Sequence, residues 1–168
     1  MIDRLRQAVE RGLTVFVGCL VVGLFVVVTV AVVYRLAGAS LVWYDEAASI
    51  MLAWLTYYGS ALAALKRAHM GFDGLVRAMP GSFRLATFAL GEVCTIGFFL
   101  LAAVVGYEVL MILAGDSMVS LPWVPTQLTH SVIPVGAALF VLCQLLSLPQ
   151  ALARVGIAAQ PPVKEALE

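Results

Sequence analysis

The sequence carries little charge. Lysine, arginine, aspartate and glutamate make up 12% of its 168 residues, whereas soluble domains contain about 25%. Hydrophobic residues make up 62%, compared with about 45–50% in soluble domains. This imbalance excludes a water-soluble globular protein. The ten basic and ten acidic residues give a formal net charge of zero, so the chain has no overall field that would attract a nucleic acid.

Cysteine and histidine are also scarce. The three cysteines, Cys19, Cys94 and Cys143, lie far apart in apolar stretches, which excludes a C-x-x-C redox centre and favours apolar packing. His69 and His130 fall near opposite ends of the predicted membrane helices, so they cannot ligate one haem together. Because P-loop, G-x-S-x-G and H-E-x-x-H motifs are lacking as well, we predict a chain that is not an enzyme. We expect it to have no catalytic residue and to bind no metal or cofactor.

Long hydrophobic segments, by contrast, dominate the sequence. A transmembrane helix needs about 20 apolar residues, and only helices or closed barrels satisfy their backbone within lipid. We therefore predict an all-α membrane protein that forms a single domain over residues 1–168. Within the fourth helix, Pro134 is predicted to bend the helix or to unwind its first turn. The four predicted transmembrane helices span about 12–34, 47–65, 85–113 and 128–151.

The basic residues predict the orientation of the chain. Nine of the ten lie in the N-terminal segment, the loop between the second and third helices, or the C-terminal tail, and only Arg35 lies elsewhere. By the positive-inside rule both termini are cytoplasmic. In the loop between the second and third helices, Phe72, Leu75, Val76 and Met79 recur at helical spacing. This loop is either a short amphipathic helix at the inner interface or a basic segment that sets the topology.

Ionisable residues inside predicted spans are candidates for function. Glu92 and Glu108 lie on the third helix about 24 Å apart and on nearly opposite faces, so they cannot form an acid–base pair. Three roles remain open for them: an interfacial position or salt bridge, for example with Arg84 or Lys66, a contact with a partner subunit, and a proton or ion relay.

The second predicted helix has three further features. Asp45 and Glu46 at its start either cap the helix or contact a partner subunit. Trp54 lies mid-span, where a buried indole prefers a hydrogen-bond partner. Small residues let another helix approach closely, either within the chain or on a partner: Gly59 and Ala63 form a small-x-x-x-small pair, and a stripe near one face comprises Ser49, Ala53, Ser60 and Ala64.

These residues also form a series of motifs. A W-x-x-E pattern starts the second helix, a W-L-x-x-x-G segment follows, and then come basic residues, a histidine and an acidic residue. A Leu-Pro-Trp segment and an Ile-Pro-Val-Gly segment precede and open the fourth helix. In order and spacing the motifs resemble the DctQ-like small membrane subunit of tripartite ATP-independent periplasmic (TRAP) transporters. The residues that match are Trp43, Glu46, Trp54, Gly59, Lys66, Arg67, His69, Asp73 and Pro134.

The resemblance implies a scaffold subunit in a bacterial inner membrane. A large DctM-like permease subunit would carry the substrate and sodium sites. A periplasmic DctP-like binding protein would deliver a solute, expected to bear a carboxylate, and an ion gradient would drive uptake. Membrane lipids would be the other partners, and no nucleic acid is expected. Asp45 and Glu92 join the matching residues as candidates for partner contact. Two alternatives stay open: a membrane anchor of a redox complex and a small homo-oligomeric transporter.

Overall fold

The computed structural model describes residues 2–66 and 81–158, which form one short and four long helices. Each long helix contains a segment long and apolar enough to cross a membrane, the fourth together with the short helix before it. The prediction of an all-α protein with four transmembrane helices is therefore confirmed. The predicted interfacial helix falls in residues 67–80, outside the described residues. The helices are α1 (Ile2–Leu36), α2 (Tyr44–Lys66), α3 (Gly81–Ile112), α4 (Thr126–His130) and α5 (Val132–Ala158).

Helix α1 ends in a well-defined cap. Gly38 adopts a positive φ of 79°, a conformation that glycine reaches without steric cost. The amide of Gly38 donates to the carbonyl of Arg35 over 3.2 Å, and that of Ala39 donates to the carbonyl of Tyr34 over 3.0 Å. These two bonds are the Schellman pattern, which satisfies carbonyls left free at a helix end. The cap turns the chain into the short connection to α2.

Proline interrupts the fourth membrane segment. Pro134 has no N–H to donate to the carbonyl of His130, four residues earlier, and its ring crowds that carbonyl. Helix α4 ends at His130 and α5 begins at Val132. The prediction that Pro134 disturbs the start of this segment is confirmed. The break leaves α4 as a short helix at one end of the bundle.

The helices stand in a spatial order that differs from their order along the chain. Helix α1 packs against α2, α2 packs against α5, and α5 packs against α3. The order across the bundle is therefore α1, α2, α5, α3. Most residues of the two edge helices, α1 and α3, are exposed to the surroundings of the bundle. In the segment formed by α4 and α5, by contrast, about 44% of the residues in its most apolar stretch are buried. Helix α5 is thus the central element of the bundle.

Small residues bring α2, α5 and α3 close together. A Cβ added to Gly136 on α5 would stand 2.7 Å from the Cβ of Tyr57 on α2. A Cβ added to Gly106 on α3 would stand 2.7 Å from Cγ2 of Ile133 and 3.2 Å from the backbone nitrogen of Pro134. The two distances of 2.7 Å are too short for a real Cβ, so neither position can carry a side chain without a shift of its neighbours. In lipid, such close packing, rather than the exclusion of water, holds helices together.

The buried core lies toward the end of the bundle where α1 begins and α2 ends. At its centre, Phe140 is 1% exposed and stacks on Phe99 of α3 with the ring centroids 3.6 Å apart. Dispersion between such closely packed atoms is the main source of stability, because lipid tails are as apolar as the core. The core comprises Leu13, Ala61, Ala64, Leu65, Phe140 and Cys143.

Candidate functional site

Charged contacts join α1 and α2 at one end of the bundle, here called the Arg6 end. The guanidinium of Arg6 donates to the carbonyl of Leu65 over 3.1 Å. Lys66 Nζ lies 3.5 Å from Glu10 Oε1. Both cations therefore sit at the C-terminal end of α2, where the helix dipole favours positive charge. Lys66, a predicted partner contact, is used within the chain in this structure.

At the opposite end, here called the Glu46 end, the carboxylate of Glu46 holds the loop that precedes α4. It accepts hydrogen bonds from the amide of Ser120 over 2.9 Å, from the hydroxyl of Ser120, and from the amide of Val119 over 3.3 Å. The loop is itself closed, because Thr126 N donates to the carbonyl of Asp116 over 3.0 Å. Glu46 also lies in the first turn of α2, where the helix dipole favours a negative charge.

Trp54 joins α2 to α4. Its indole Nε1 donates to the carbonyl of Thr129 over 3.1 Å, which confirms the expectation that this indole has a hydrogen-bond partner. Its ring belongs to an aromatic cluster with Phe16 and Tyr58, whose own centroids are 4.9 Å apart in an edge-to-face arrangement. The cluster ties α1 and α2 together and fixes the side of α2 that faces α4.

Glu92 bonds to a neutral partner on the neighbouring helix. Its Oε2 accepts a hydrogen bond from Nε2 of Gln144 over 2.7 Å. Lys66, one of the two bases suggested by the sequence as its partner, pairs with Glu10 instead. Glu108 is exposed, in keeping with its predicted position on another face of the same helix. The Glu92–Gln144 bond lies about 10 Å along α3 from the start of its apolar segment at Leu85, so it joins α3 and α5 within the membrane.

A cavity of about 490 Å³ opens at the Glu46 end and is called the Glu46 groove. One wall is α2, and the other is formed by α4, the start of α5 and the loop held by Glu46. Its polar residues lie mostly at the end of the helices and its apolar residues farther in. The lining residues are Glu46, Ser49, Ile50, Ala53, Tyr57, Ser117, Met118, Val119, Thr126, Thr129, His130, Val132 and Ile133.

The structure separates the predicted contact residues into several places. Trp43 and Asp45 are exposed beside the groove. Gly59 lies on another part of α2, where a Cβ would have no neighbouring atom within 4 Å, and Pro134 packs against α3. Arg67, His69 and Asp73 lie outside the described residues. Those of the predicted contact residues that the structure describes therefore do not form one constellation.

Three residues that the sequence analysis did not select hold this arrangement together: Ser120, Thr129 and Gln144. Gln144 could have been noticed as a polar amide inside an apolar span, since such side chains bond across helices in membranes. Ser120 contributes a loop amide and hydroxyl, and Thr129 a main-chain carbonyl. Nothing in the spacing of their residue types indicates these bonds.

The bonds of Glu46 lead to a prediction for the loop. Glu46→Ala removes the only carboxylate oxygens that hold the Val119 and Ser120 amides in the described structure. We expect both amides to exchange hydrogen for deuterium faster, while amides in the middle of α3 keep their rate. Asp45→Ala is the matched control, because its carboxylate is exposed at the neighbouring position. Unchanged exchange at Val119 and Ser120 would show that other contacts hold the loop.

Comparison with known families identifies a match over most of the chain. A family model described as "Tripartite ATP-independent periplasmic transporters, DctQ component" matches residues 24–154. The matched region includes the Glu46 groove, the Trp54 contact and the Glu92–Gln144 bond. A search of curated proteins found no match to the chain.

Proposed function

Because the chain belongs to the DctQ component family of tripartite ATP-independent periplasmic transporters, we propose that it is the scaffold subunit of such a transporter. The chain is a multi-pass membrane protein, and its family is a transporter component rather than an enzyme family. In this proposal a large permease subunit carries the solute and sodium sites. An ion gradient drives uptake of a carboxylate-bearing solute that a periplasmic binding protein delivers.

The orientation in the proposal follows from charge. The basic residues Arg4, Arg6, Arg11 and Lys66 gather at the Arg6 end. The positive-inside rule assigns that end to the cytoplasm and the Glu46 end to the periplasm of a bacterial inner membrane. The loop held by Glu46 then lies on the side from which a binding protein would approach.

Two intrachain bonds support a scaffold role. Glu46 and Glu92 are acidic side chains of the kind that transporters use for ions. Here Glu46 holds a loop through hydrogen bonds, and Glu92 joins α3 to α5. Both acids therefore have structural roles within the chain, as expected for a subunit that holds its shape while another one moves.

Besides the family match, the main observation that supports the proposal is a face of α2 that packs against no other helix of the described chain. The α2 stripe, defined as Leu52, Thr56, Gly59 and Ala63, follows helical spacing along one side. Leu52 is 55% exposed, and a Cβ on Gly59 would meet no atom within 4 Å. Small residues in lipid mark places where another helix approaches closely. We assign this stripe to contact with the large subunit.

Gly59→Leu tests the stripe. We expect the variant to unfold at the same temperature as the wild type, because the space beyond Gly59 is open within this chain. We expect the tagged variant to recover much less of the large subunit than the wild type does when both are purified from native membranes in mild detergent. Gly97→Leu is the matched control, since a Cβ at this α3 position also meets no atom within 4 Å.

The two parts of the proposal fail in different ways. If wild-type chain purifies as a homo-oligomer or carries a haem absorption band, with no large multi-spanning partner, the scaffold function is wrong. If wild type recovers the large subunit and Gly59→Leu recovers it equally well, the function stands and the α2 stripe is not the contact.

A further inference from the structure

The Glu46 groove has the polarity of a phospholipid. Near the end of α2 its lining combines the polar residues Glu46, Thr126 and His130 with loop residues, and farther in it is mainly apolar, at Ile50 and Ile133. The loop residues include the apolar Met118 and Val119. From Glu46 to Tyr57 the groove follows α2 for about 16 Å at 1.5 Å per residue. The hydrocarbon of one leaflet is about half of the ~30 Å membrane core. The groove therefore matches the depth of a single leaflet.

Its polar end offers acceptors. The Glu46 carboxylate accepts three hydrogen bonds from the loop, and a carboxylate has about four acceptor positions. His130 Nδ1 lies 3.0 Å from the carbonyl of Thr126. Nδ1 also lies 3.1 Å from Oγ1 of Thr129, so two contacts within α4 hold the ring in place. The acceptor of this polar end is therefore the carboxylate of Glu46, which favours a donor group.

The charge around the groove favours a cation in particular. Asp45 and Asp116 are exposed next to the lining residues Glu46 and Ser117, and Arg35 lies in the last turn of α1 at the same end. Acidic residues therefore outnumber basic ones there. An ammonium group would be attracted there, and a headgroup with a net negative charge would be repelled. Among the common groups of phospholipids, the one that donates hydrogen bonds and carries positive charge is a primary amine.

The size of the groove favours a lipid chain over a helix. Its volume of about 490 Å³ lies within the ~300–1,000 Å³ range of small-molecule sites. A helix about 10 Å across that crosses one leaflet fills on the order of 1,000 Å³. Such a helix could enter only by some of its side chains, whereas one acyl chain could enter along its length.

We propose that the Glu46 groove binds a phospholipid with a primary-amine headgroup. One acyl chain lies along Ile50, Ala53 and Ile133, and the ammonium group lies against the Glu46 carboxylate. The lipid comes from the leaflet around the Glu46 end. This proposal does not depend on the transporter role, because it rests on the lining residues of this chain alone.

The test uses the full chain in nanodiscs with equal amounts of phosphatidylethanolamine and phosphatidylglycerol, followed by native mass spectrometry. We expect the wild type to retain one phosphatidylethanolamine in several-fold preference to phosphatidylglycerol. Ala53→Phe fills the groove and should lose the retained lipid. Ala138→Phe, an exposed position on α5 outside the groove, is the control and should retain it.

Glu46→Gln tests the headgroup contact separately. The amide keeps one acceptor oxygen for the Ser120 bonds, loses the acceptor for the Val119 amide, and loses the negative charge. The acyl chain should still bind while the preference for phosphatidylethanolamine falls. Thermal unfolding of each variant checks that the bundle is intact.

Three results would overturn the proposal. Equal retention of the two lipids by the wild type would exclude recognition of the amine. Unchanged retention by a folded Ala53→Phe would exclude the groove as the site. Loss of the lipid whenever the large subunit is bound would show that a helix of that subunit occupies the groove.

Discussion

Replacing Gly136 by leucine is expected to destabilise the bundle by about 3 kcal/mol or more, at the upper end of the range for overpacking. Even a single Cβ at this position would stand 2.7 Å from the Cβ of Tyr57 and 3.2 Å from two atoms of its ring. The Cβ of Tyr57 is fixed to the backbone of α2 and cannot rotate away. Helices α2 and α5 must therefore separate, and their shared contacts are lost together.

The measurement is the unfolding midpoint of purified chain in detergent, followed by heating or by titration with a denaturing detergent. Gly97→Leu is the control, because a Cβ there meets no atom within 4 Å, and it should change the midpoint little. A Gly136→Leu midpoint equal to that of the control would mean that α2 and α5 are farther apart than described here.

Phe140→Ala is expected to lower the unfolding free energy by about 3 kcal/mol, the low end of the range for a buried phenylalanine. Phe140 is 1% exposed and stacks on Phe99 of α3. Its removal leaves a cavity between α3 and α5, where the surrounding atoms lose their dispersion contacts. We take the low end because the ring of Phe140 would be surrounded by lipid tails, which are also apolar, if the bundle came apart. The free energy lost on substitution therefore comes mainly from packing contacts.

The matched control is Phe25→Ala on α1, where the ring is 69% exposed. We expect this variant to unfold close to the wild-type midpoint. A Phe140→Ala variant that is as stable as the control would contradict the assignment of Phe140 to the core. A second readout is the exchange of α3 amides, which should quicken in Phe140→Ala because α3 depends on α5 for most of its contacts.

The membrane helices could be predicted from the sequence because lipid imposes a simple rule. The apolar run between Arg11 and Arg35 must be helical, since no water is present to satisfy its backbone. The same rule could not predict where α1 begins. The helix starts at Ile2, ten residues before the predicted span, because the part of a helix that lies outside the membrane need not be apolar. The hydrogen bond of Trp54 and the helix interruption near Pro134 could be predicted because each depends on one residue alone. A buried indole needs a hydrogen-bond acceptor, and a proline has no N–H to donate within a helix.

The partners of the polar side chains could not be predicted. The sequence left three roles open for Glu92, and none of them named Gln144, from which its carboxylate accepts a hydrogen bond. Charge identifies Arg84 and Lys66 as candidates from the sequence alone, whereas the amide of Gln144 can be noticed in its apolar span without indicating which side chain it bonds to. The choice depends on which helix stands beside α3, and the apolar pattern of four lipid-facing helices does not encode that order.

The Glu46 groove could not be predicted from the sequence either. Its walls come from positions more than 70 residues apart in the chain, such as Glu46 and Val119. Asp45 and Glu46 were recognised as a helix start with two open roles, and the structure gives Glu46 a third role as the anchor of a loop. Only the packing of α2 beside α5 brings these segments together, and that packing depends on Gly136 and Tyr57.

The order of helices across the bundle also constrains its biogenesis. Helices α1 and α2 are neighbours in sequence and in space, so they can pair as soon as the ribosome has delivered both to the membrane. Helix α3 follows but contacts mainly α5, which is synthesised later. The contacts that hold α3 in the bundle can therefore form only after α5 has been synthesised, since α5 packs between α2 and α3.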